Sequence, residues 1–79
     1  MELPRYLHEL MTREGVDNGA TLAGLVGVSR AAVSAWLRGE TAPGPIARCA
    51  MIDLWGLDEA DAATLRRLCD EAVARRGST

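Results

Sequence analysis

The chain has 79 residues, a formal net charge of −2 at pH 7 and nine basic residues that are all Arg. A chain of this length holds one apolar core, so we expect a single domain over residues 1–79. No stretch reaches the roughly 18 consecutive apolar residues of a membrane span, and the first residues lack a signal peptide's apolar region, so we expect a cytoplasmic protein with no membrane partner.

Composition favours helix along the whole chain, because Ala and Leu are abundant, Phe is absent and β-branched residues are scattered. Pro4 suits the first turn of helix 1, which is predicted to end near Gly15. Its apolar stripe, at the spacing i, i+4, i+7 and i+8, consists of Leu3, Leu7, Leu10 and Met11. Asn18 is a good N-cap for helix 2, which would run to Val26 and end at Gly27. The sequence therefore predicts an all-α fold from its first elements onward.

Helices 3 and 4 are separated by a proline-containing loop. Ser29 is predicted to cap helix 3, which covers Arg30–Arg38 and stops at Gly39. The prolines of segment 40–45 restrict the chain before helix 4, which Gly56 closes. The residues of helix 4 predicted to face the core are Ile46, Ala50, Met51 and Leu54.

Helix 5 is predicted over residues 58–76, with Asp58 as its cap and residues 77–79 as a tail. Acids in its first turn and arginines in its last turn match the helix dipole, and Arg66 and Arg67 are predicted to face solvent. Its apolar strip must pack either on the body of the domain or on a second chain, and both alternatives remain open. That strip, a candidate dimerisation element, consists of Leu65, Leu68, Cys69, Ala72 and Val73.

No catalytic or metal chemistry is indicated by the sequence. Cys49 and Cys69 are interpreted as small buried side chains, because with His8 as the one histidine they do not form a recognisable zinc site. Since no nucleophile and base pair, metal cluster or phosphate loop appears, we expect neither an enzyme, nor a cofactor, nor a small-molecule ligand. Trp36 is predicted to lie in the core, and Trp55 either in the core or on a partner surface.

The informative feature is the spacing within residues 19–38. Two short helices that meet steeply need a small residue where their backbones approach and a glycine in the turn between them. Ala23 and Gly27 stand at those two places. The positions that would face inward, where a charge would be buried without a partner, are Leu22, Val26, Val28, Val33 and Trp36.

This pattern resembles the helix-turn-helix of the lambda-repressor and Cro type. The resemblance covers helices 1 to 4, within residues 1–57, and leaves helix 5 outside. It rests on Leu22-Ala23, Gly27-Val28-Ser29-Arg30, Val33-Ser34, Trp36, Arg38-Gly39 and Pro43. It implies a compact five-helix lambda-repressor-like domain acting as a transcriptional regulator, a phage-type repressor or Cro-like protein in a bacterial cytoplasm. Such a protein would bind double-stranded DNA at a palindromic operator as a homodimer, at least on DNA.

The resemblance also implies roles for individual residues. Helix 3 would enter the major groove with a base-reading face of Arg30, Ala31, Ser34 and Ala35, on which Arg30 would pair with guanine and the alanines would meet thymine methyl groups. The residues implied to hold phosphates are Asn18, Thr21, Ser29, Arg38, Thr41 and, less directly, Arg48.

The sequence departs from the family pattern at three places. Gly19 stands where a Gln is common, Ala35 where a longer polar side chain often reaches a base, and Leu37 where a Glu is frequent. This sparse reading face and the acidic net charge favour an alternative, an antitoxin or protein-interaction module acting through helix 5 and the Trp55 region. In either case helix 5 is the predicted place for a partner.

Overall fold

The computed structural model describes residues 2–77. Those residues form five α-helices and no strand, which confirms the predicted all-α class. The helices are α1 (Leu3–Arg13), α2 (Gly19–Val26), α3 (Arg30–Arg38), α4 (Pro45–Trp55) and α5 (Glu59–Gly77). None of the described helices combines the length and apolar character that crossing a membrane requires. Of the predicted tail, Gly77 belongs to α5, and residues 78–79 lie outside the described part.

Side chains and glycines mark the helix ends as the sequence predicts. The Asn18 Oδ1 accepts a hydrogen bond from the Thr21 N–H at 2.9 Å, and the Ser29 Oγ accepts one from the Ala32 N–H at 3.1 Å. Asp58 does the same for the start of α5. Each bond satisfies one of the backbone donors that a helix start leaves without a partner.

One continuous core holds the five helices together. Helix α1 packs on α3 and α5, α2 packs on α3 and α4, and α4 also packs on α5. Every helix contributes to the core, and the most deeply buried large side chains are Leu7, Leu10, Leu22, Met51, Leu65, Leu68 and Val33. Burying such side chains, at about 25 cal/mol per Å² of apolar surface, is the main stabilising contribution in a chain this small.

The predicted inward face of α4 is wrong at two positions. Ile46 is 88% exposed and Leu54 is 41% exposed, whereas Met51 is fully buried and Ala47 is buried beside it. Ala50 is half-buried. The apolar side chains of α4 are spread around most of its circumference, so their spacing does not define one inward face. The contacts of α4 with α2 and α5 select the face that turns inward.

The apolar strip of α5 packs on the body of the same chain. Leu65, Leu68 and Cys69 are at most 1% exposed, and Ala72 packs against the same core. Only Val73, at 58% exposure, is open to solvent among the strip residues. A role in dimerisation is therefore wrong for Leu65, Leu68 and Cys69, which the chain's own core already covers, and Val73 is the strip residue that stays open to a partner.

The cysteines differ from each other. Cys69 is buried as predicted, and burial raises the pKa of its thiol to about 11. Cys49 is exposed on α4, so the prediction of a buried side chain is wrong there. Its place on the outer side of α4 follows from the same rotation of the helix that exposes Ile46.

A polar contact joins α1 to α5 at the edge of the core. The Tyr6 hydroxyl donates to the Asp61 Oδ1 at 2.9 Å, and the Arg13 Nη2 lies 3.1 Å from the Asp61 Oδ2. Burial of the Tyr6 ring and the hydrogen bond to Asp61 raise the pKa of the phenol to about 12. Sequence reasoning did not identify this contact.

Candidate functional site

Helices α2 and α3 are consecutive and packed on each other, joined by Gly27-Val28-Ser29. The N–H groups of Gly27 and Val28 both donate to the Ala23 carbonyl, at 2.9 and 3.1 Å. Gly27 has a φ of +84°, a conformation that an L side chain resists. The turn is therefore held by Ala23 and Gly27, the two residues that the sequence spacing predicts for it.

The inward positions of this helix pair are buried as predicted. Leu22 and Val33 are fully buried, and Ala23 and Trp36 are 3% and 4% exposed. Val26 and Val28 are partly buried against the same cluster. Trp36 therefore belongs to the core, and Trp55 packs against its margin from α4.

Gly19 brings the start of α2 unusually close to α3. A Cβ atom built on Gly19 would lie 3.3 Å from the Val33 Cγ1 and 3.7 Å from the Leu37 Cδ1. The first distance is shorter than an ordinary van der Waals contact, so a side chain at this position requires Val33 to shift. Gly19 and Leu37 therefore lie next to each other across the helix pair.

The outer face of α3 lies opposite its buried residues. Arg30 and Ala31, in its first turn, are exposed, and Ser34 and Ala35 are half-buried in the next turn. Arg30 takes part in no ion pair or side-chain hydrogen bond within residues 2–77. Its guanidinium, with donors arranged in a planar fork, is therefore available to a ligand.

The polar residues at the two helix starts are partly engaged by the protein. The Asn18 Oδ1 also accepts a hydrogen bond from the Thr21 hydroxyl at 3.2 Å, in addition to the bond from the Thr21 N–H. Ser29 caps α3 through its Oγ. All three residues are exposed. An anion could still bind at these helix starts. It would meet the remaining backbone N–H groups, the side-chain NH2 group of Asn18 and the positive end of each helix dipole.

Arg38 is paired within the protein. Its Nε lies 2.7 Å and its Nη2 2.6 Å from the Glu40 Oε2. Both side chains are more than half exposed, so the pair is screened by water and can exchange Glu40 for another anion. Thr41 follows in the chain and is half-buried. Sequence reasoning missed Glu40 as a competitor, although its place two residues after Arg38 was visible.

Arg48 is paired within the protein and is mostly buried. Its side chain is 19% exposed, and its Nη1 lies 3.2 Å from the Asp70 Oδ1. The pair connects α4 to α5. The Arg48 charge lowers the pKa of the Cys69 thiol, whereas burial, the larger effect, and the Asp70 charge raise it. Arg48 therefore has a role in packing these two helices together, and it is the weakest of the predicted phosphate ligands.

A groove of about 670 Å³ lies beside Arg38. Residues from the start of α1, the end of α3 and the end of α5 line it, among them Arg38, Thr41 and Arg75. Arg75 lies 3.7 Å from Glu2, so each arginine of the groove faces a carboxylate. The groove is mixed in charge and carries no strong attraction for an anion of its own.

Within residues 2–77 no group of His, Cys, Asp or Glu side chains is placed to hold a metal ion. Comparison with models of known protein families, with curated proteins and with solved structures gives no match. Function is therefore inferred from the chemistry of the surface itself.

Proposed function

We propose that this chain is a sequence-specific DNA-binding transcriptional regulator of the repressor or Cro type, with α2 and α3 forming a helix-turn-helix. The observation that carries the proposal is the first turn of α3. There Arg30 is exposed and unpaired within the described chain, while Val33 and Trp36 fix the opposite side of the helix in the core. A rigid helix with a free arginine at its start suits the major groove, which admits one α-helix.

Base reading would depend chiefly on Arg30. Its guanidinium would donate to O6 and N7 of a guanine, a contact worth roughly 1 to 3 kcal/mol of discrimination. The methyl groups of Ala31 and Ala35 would meet thymine methyl groups, and the hydroxyl of Ser34 would accept or donate at several bases. Ser34 and Ala35 are half-buried, so their reach is short. Most of the sequence preference would then come from one arginine in each subunit.

Phosphate binding would orient the helix pair on the duplex. The starts of α2 and α3, at Asn18, Thr21 and Ser29, carry backbone donors and the positive end of the helix dipole. Arg38 would exchange its exposed ion pair with Glu40 for an ion pair with a phosphate of the duplex. Such contacts raise affinity for all sequences equally.

Two copies are required by this arrangement. One arginine and a few methyl groups give a single domain little specificity, and a net charge of −2 gives it little non-specific attraction for DNA. A dimer on a palindromic operator doubles the number of base and phosphate contacts, with recognition helices about 34 to 36 Å apart. DNA deformability would add to the specificity at base pairs that the protein does not touch.

The test compares Arg30→Ala with Arg66→Ala on a preferred duplex and on random duplex. Arg66 is an exposed arginine of α5 and serves as the matched loss of charge. We expect Arg30→Ala to reduce the preference for the specific duplex by roughly ten-fold or more, as a lost bidentate base contact does. Arg66→Ala should leave that preference unchanged. Equal losses for Arg30→Ala on both duplexes would contradict the base-reading role.

A second candidate function is that of an antitoxin or protein-interaction module. The observation that favours it is the exposure of large aliphatic side chains, Leu25, Ile46, Leu54 and Val73, on a domain with acidic net charge. It would act through these surfaces and not through the buried strip of α5. Co-purification of a partner protein, together with no retardation of DNA at low salt, would favour this function over DNA binding.

A further inference from the structure

The outer face of α4 is apolar and is not covered by the chain. Ile46 is 88% exposed and Leu54 is 41% exposed, and Cys49 between them is also exposed. Ala50 is half-buried at the margin, and Asp53 is the one ionisable side chain of the face besides the Cys49 thiol. We call these five residues the α4 face: Ile46, Cys49, Ala50, Asp53 and Leu54.

We propose that the α4 face is the surface on which a second copy of this chain docks, with the two α4 helices antiparallel about a two-fold axis near Cys49 and Ala50. The proposal rests on the proposed function in one respect, which is that two copies are needed on a palindrome. It names the surface that supplies the second copy, since the apolar strip of α5 is buried within the chain.

Shape and apolar character suit a two-fold contact. An isologous interface brings each residue against a different residue of the same patch, so a useful patch must complement itself. In the antiparallel arrangement Ile46, at the start of α4, meets Leu54, near its end, and the small Ala50 at the centre allows the helix axes to approach. The 88% exposure of Ile46 would then be relieved in both subunits by the same contact.

Charge also suits a second copy. The start of α4 has no capping side chain, because Gly44 occupies the N-cap position and Pro45 has no N–H. Within the described residues the N–H groups of Ile46 and Ala47 donate to no acceptor. The antiparallel arrangement brings Asp53 of one copy to this positive helix start of the other, where a carboxylate is stabilising. The face therefore carries both halves of its own electrostatic complement.

The contact is small, so we expect the free dimer to be weak. Two turns of helix bury less than the roughly 800 Å² per partner of a standard stable interface. The free protein should therefore pass from monomer to dimer within the micromolar to millimolar range, and binding to two half-sites should complete the association through effective concentration.

Sedimentation equilibrium of the full chain tests the surface directly. The variants are Ile46→Glu, on the α4 face, and Val73→Glu, which replaces another exposed aliphatic residue, on α5. We expect Ile46→Glu to raise the dimer dissociation constant at least ten-fold and Val73→Glu to leave it unchanged. Both substitutions are at exposed positions, and circular dichroism will verify that both variants fold. Dissociation by Val73→Glu and not by Ile46→Glu, or a wild type that stays monomeric up to millimolar concentration, would overturn the proposal.

Cys49 provides a second readout of the same contact. Diamide oxidises two thiols to a disulfide and takes up their two electrons and two protons, so it will link two copies whose Cys49 side chains meet near the axis. We expect a linked dimer in the wild type, none in Cys49→Ser and much less in Ile46→Glu. Linking of Ile46→Glu as fast as wild type would also count against the α4 face.

DNA binding separates failure of this proposal from failure of the proposed function. Ile46→Glu should still bind a single half-site with dependence on Arg30, and should lose the gain in affinity that a full palindrome gives. If Arg30-dependent binding is found but Ile46→Glu binds the palindrome as well as wild type does, only the dimer surface is wrong. If the α4 dimer forms but no Arg30-dependent binding exists, the proposed function is wrong and the dimer stands.

Discussion

Arg30 and Arg38 stand at opposite ends of the same helix and differ in what surrounds them. Arg30 is exposed and takes part in no ion pair within the part of the chain that the structure describes, whereas Arg38 is held by Glu40. A free guanidinium can bind a base edge without first breaking a bond, but Arg38 must give up its carboxylate to reach a phosphate. The affinity of the proposed interface is therefore set partly by Glu40.

Replacing Glu40 by Gln should strengthen DNA binding. The change removes one negative charge beside the proposed phosphate site and releases Arg38, so we expect a several-fold rise in affinity for random duplex at low salt. Arg38→Ala should have the opposite effect and should reduce the salt dependence by about one released counterion. Fluorescence anisotropy with a labelled duplex across a salt series measures both. Glu71→Gln is the matched control, since Glu71 pairs with Arg67 on α5 outside the proposed interface; an equal gain there would contradict the account.

At the scale of the helices, the ends of α2 and α3 follow most directly from the local sequence. A capping side chain at one end and a glycine with positive φ at the other define both α2 and α3. In α2 a second glycine, Gly24, lies in the helix interior with open space around it. Glycine therefore lowers the stability of the helix at position 24, whereas at position 27 it is the residue that the backbone conformation favours.

Replacing each of these glycines by Ala should shift stability in opposite directions. Gly24→Ala should raise the free energy of unfolding by roughly 0.5 to 1 kcal/mol, because Ala loses less backbone entropy in a helix. Gly27→Ala should lower it by about 1 kcal/mol, since a Cβ there meets no atom but the φ of +84° is strained for an L residue. Urea unfolding of both variants beside wild type will check the signs. A stabilised Gly27→Ala would show that the turn can adopt another conformation.

The bounds of α2 and α3 and their inward positions were predictable, and the orientation of α4 was not. Asn18, Ser29, Gly27 and Gly39 specify their helix ends through bonds and conformations that are local in sequence. Helix α4 carries apolar residues on most of its circumference, so nothing local distinguishes Ile46 from Ala47 as the inward residue. Its neighbours in the fold make that choice, and the same choice exposes Cys49 and creates the α4 face.

At the scale of the whole molecule, contacts far apart in sequence close the domain. Tyr6 and Asp61 are 55 residues apart, and their hydrogen bond joins the first helix to the last. Nothing in the spacing of the chain indicates such a pair, because it exists only once α1 and α5 have packed together. The contact fixes α1 against α5, and α1 packs on α3, so it stabilises the scaffold that presents the outer face of α3.

The Tyr6 contact makes stability fall at high pH. The pKa of the Tyr6 phenol is raised from 10.0 to about 12 in the folded chain. Between pH 10 and pH 12 the folded state therefore keeps the phenol proton that the unfolded state has lost. The contribution of the Tyr6 phenol to the free energy of unfolding is fully present below pH 10 and is lost as the pH rises toward 12. Tyr6→Phe should cost about 1 kcal/mol at pH 7 and should reduce the fall above pH 10. Urea unfolding at pH 7, 9 and 11 measures this, and an undiminished fall in Tyr6→Phe would assign it to other groups, such as Cys69.

The central claim is that α3 reads DNA, and selection from a random duplex pool tests it most directly. The wild-type chain and Arg30→Ala are each taken through repeated rounds of binding at moderate salt, and the retained duplexes are sequenced. We predict that wild type enriches a palindrome with a conserved guanine in each half-site and that Arg30→Ala loses the preference for that guanine. Absence of enrichment by wild type, or the same motif enriched equally well by Arg30→Ala, would contradict the claim.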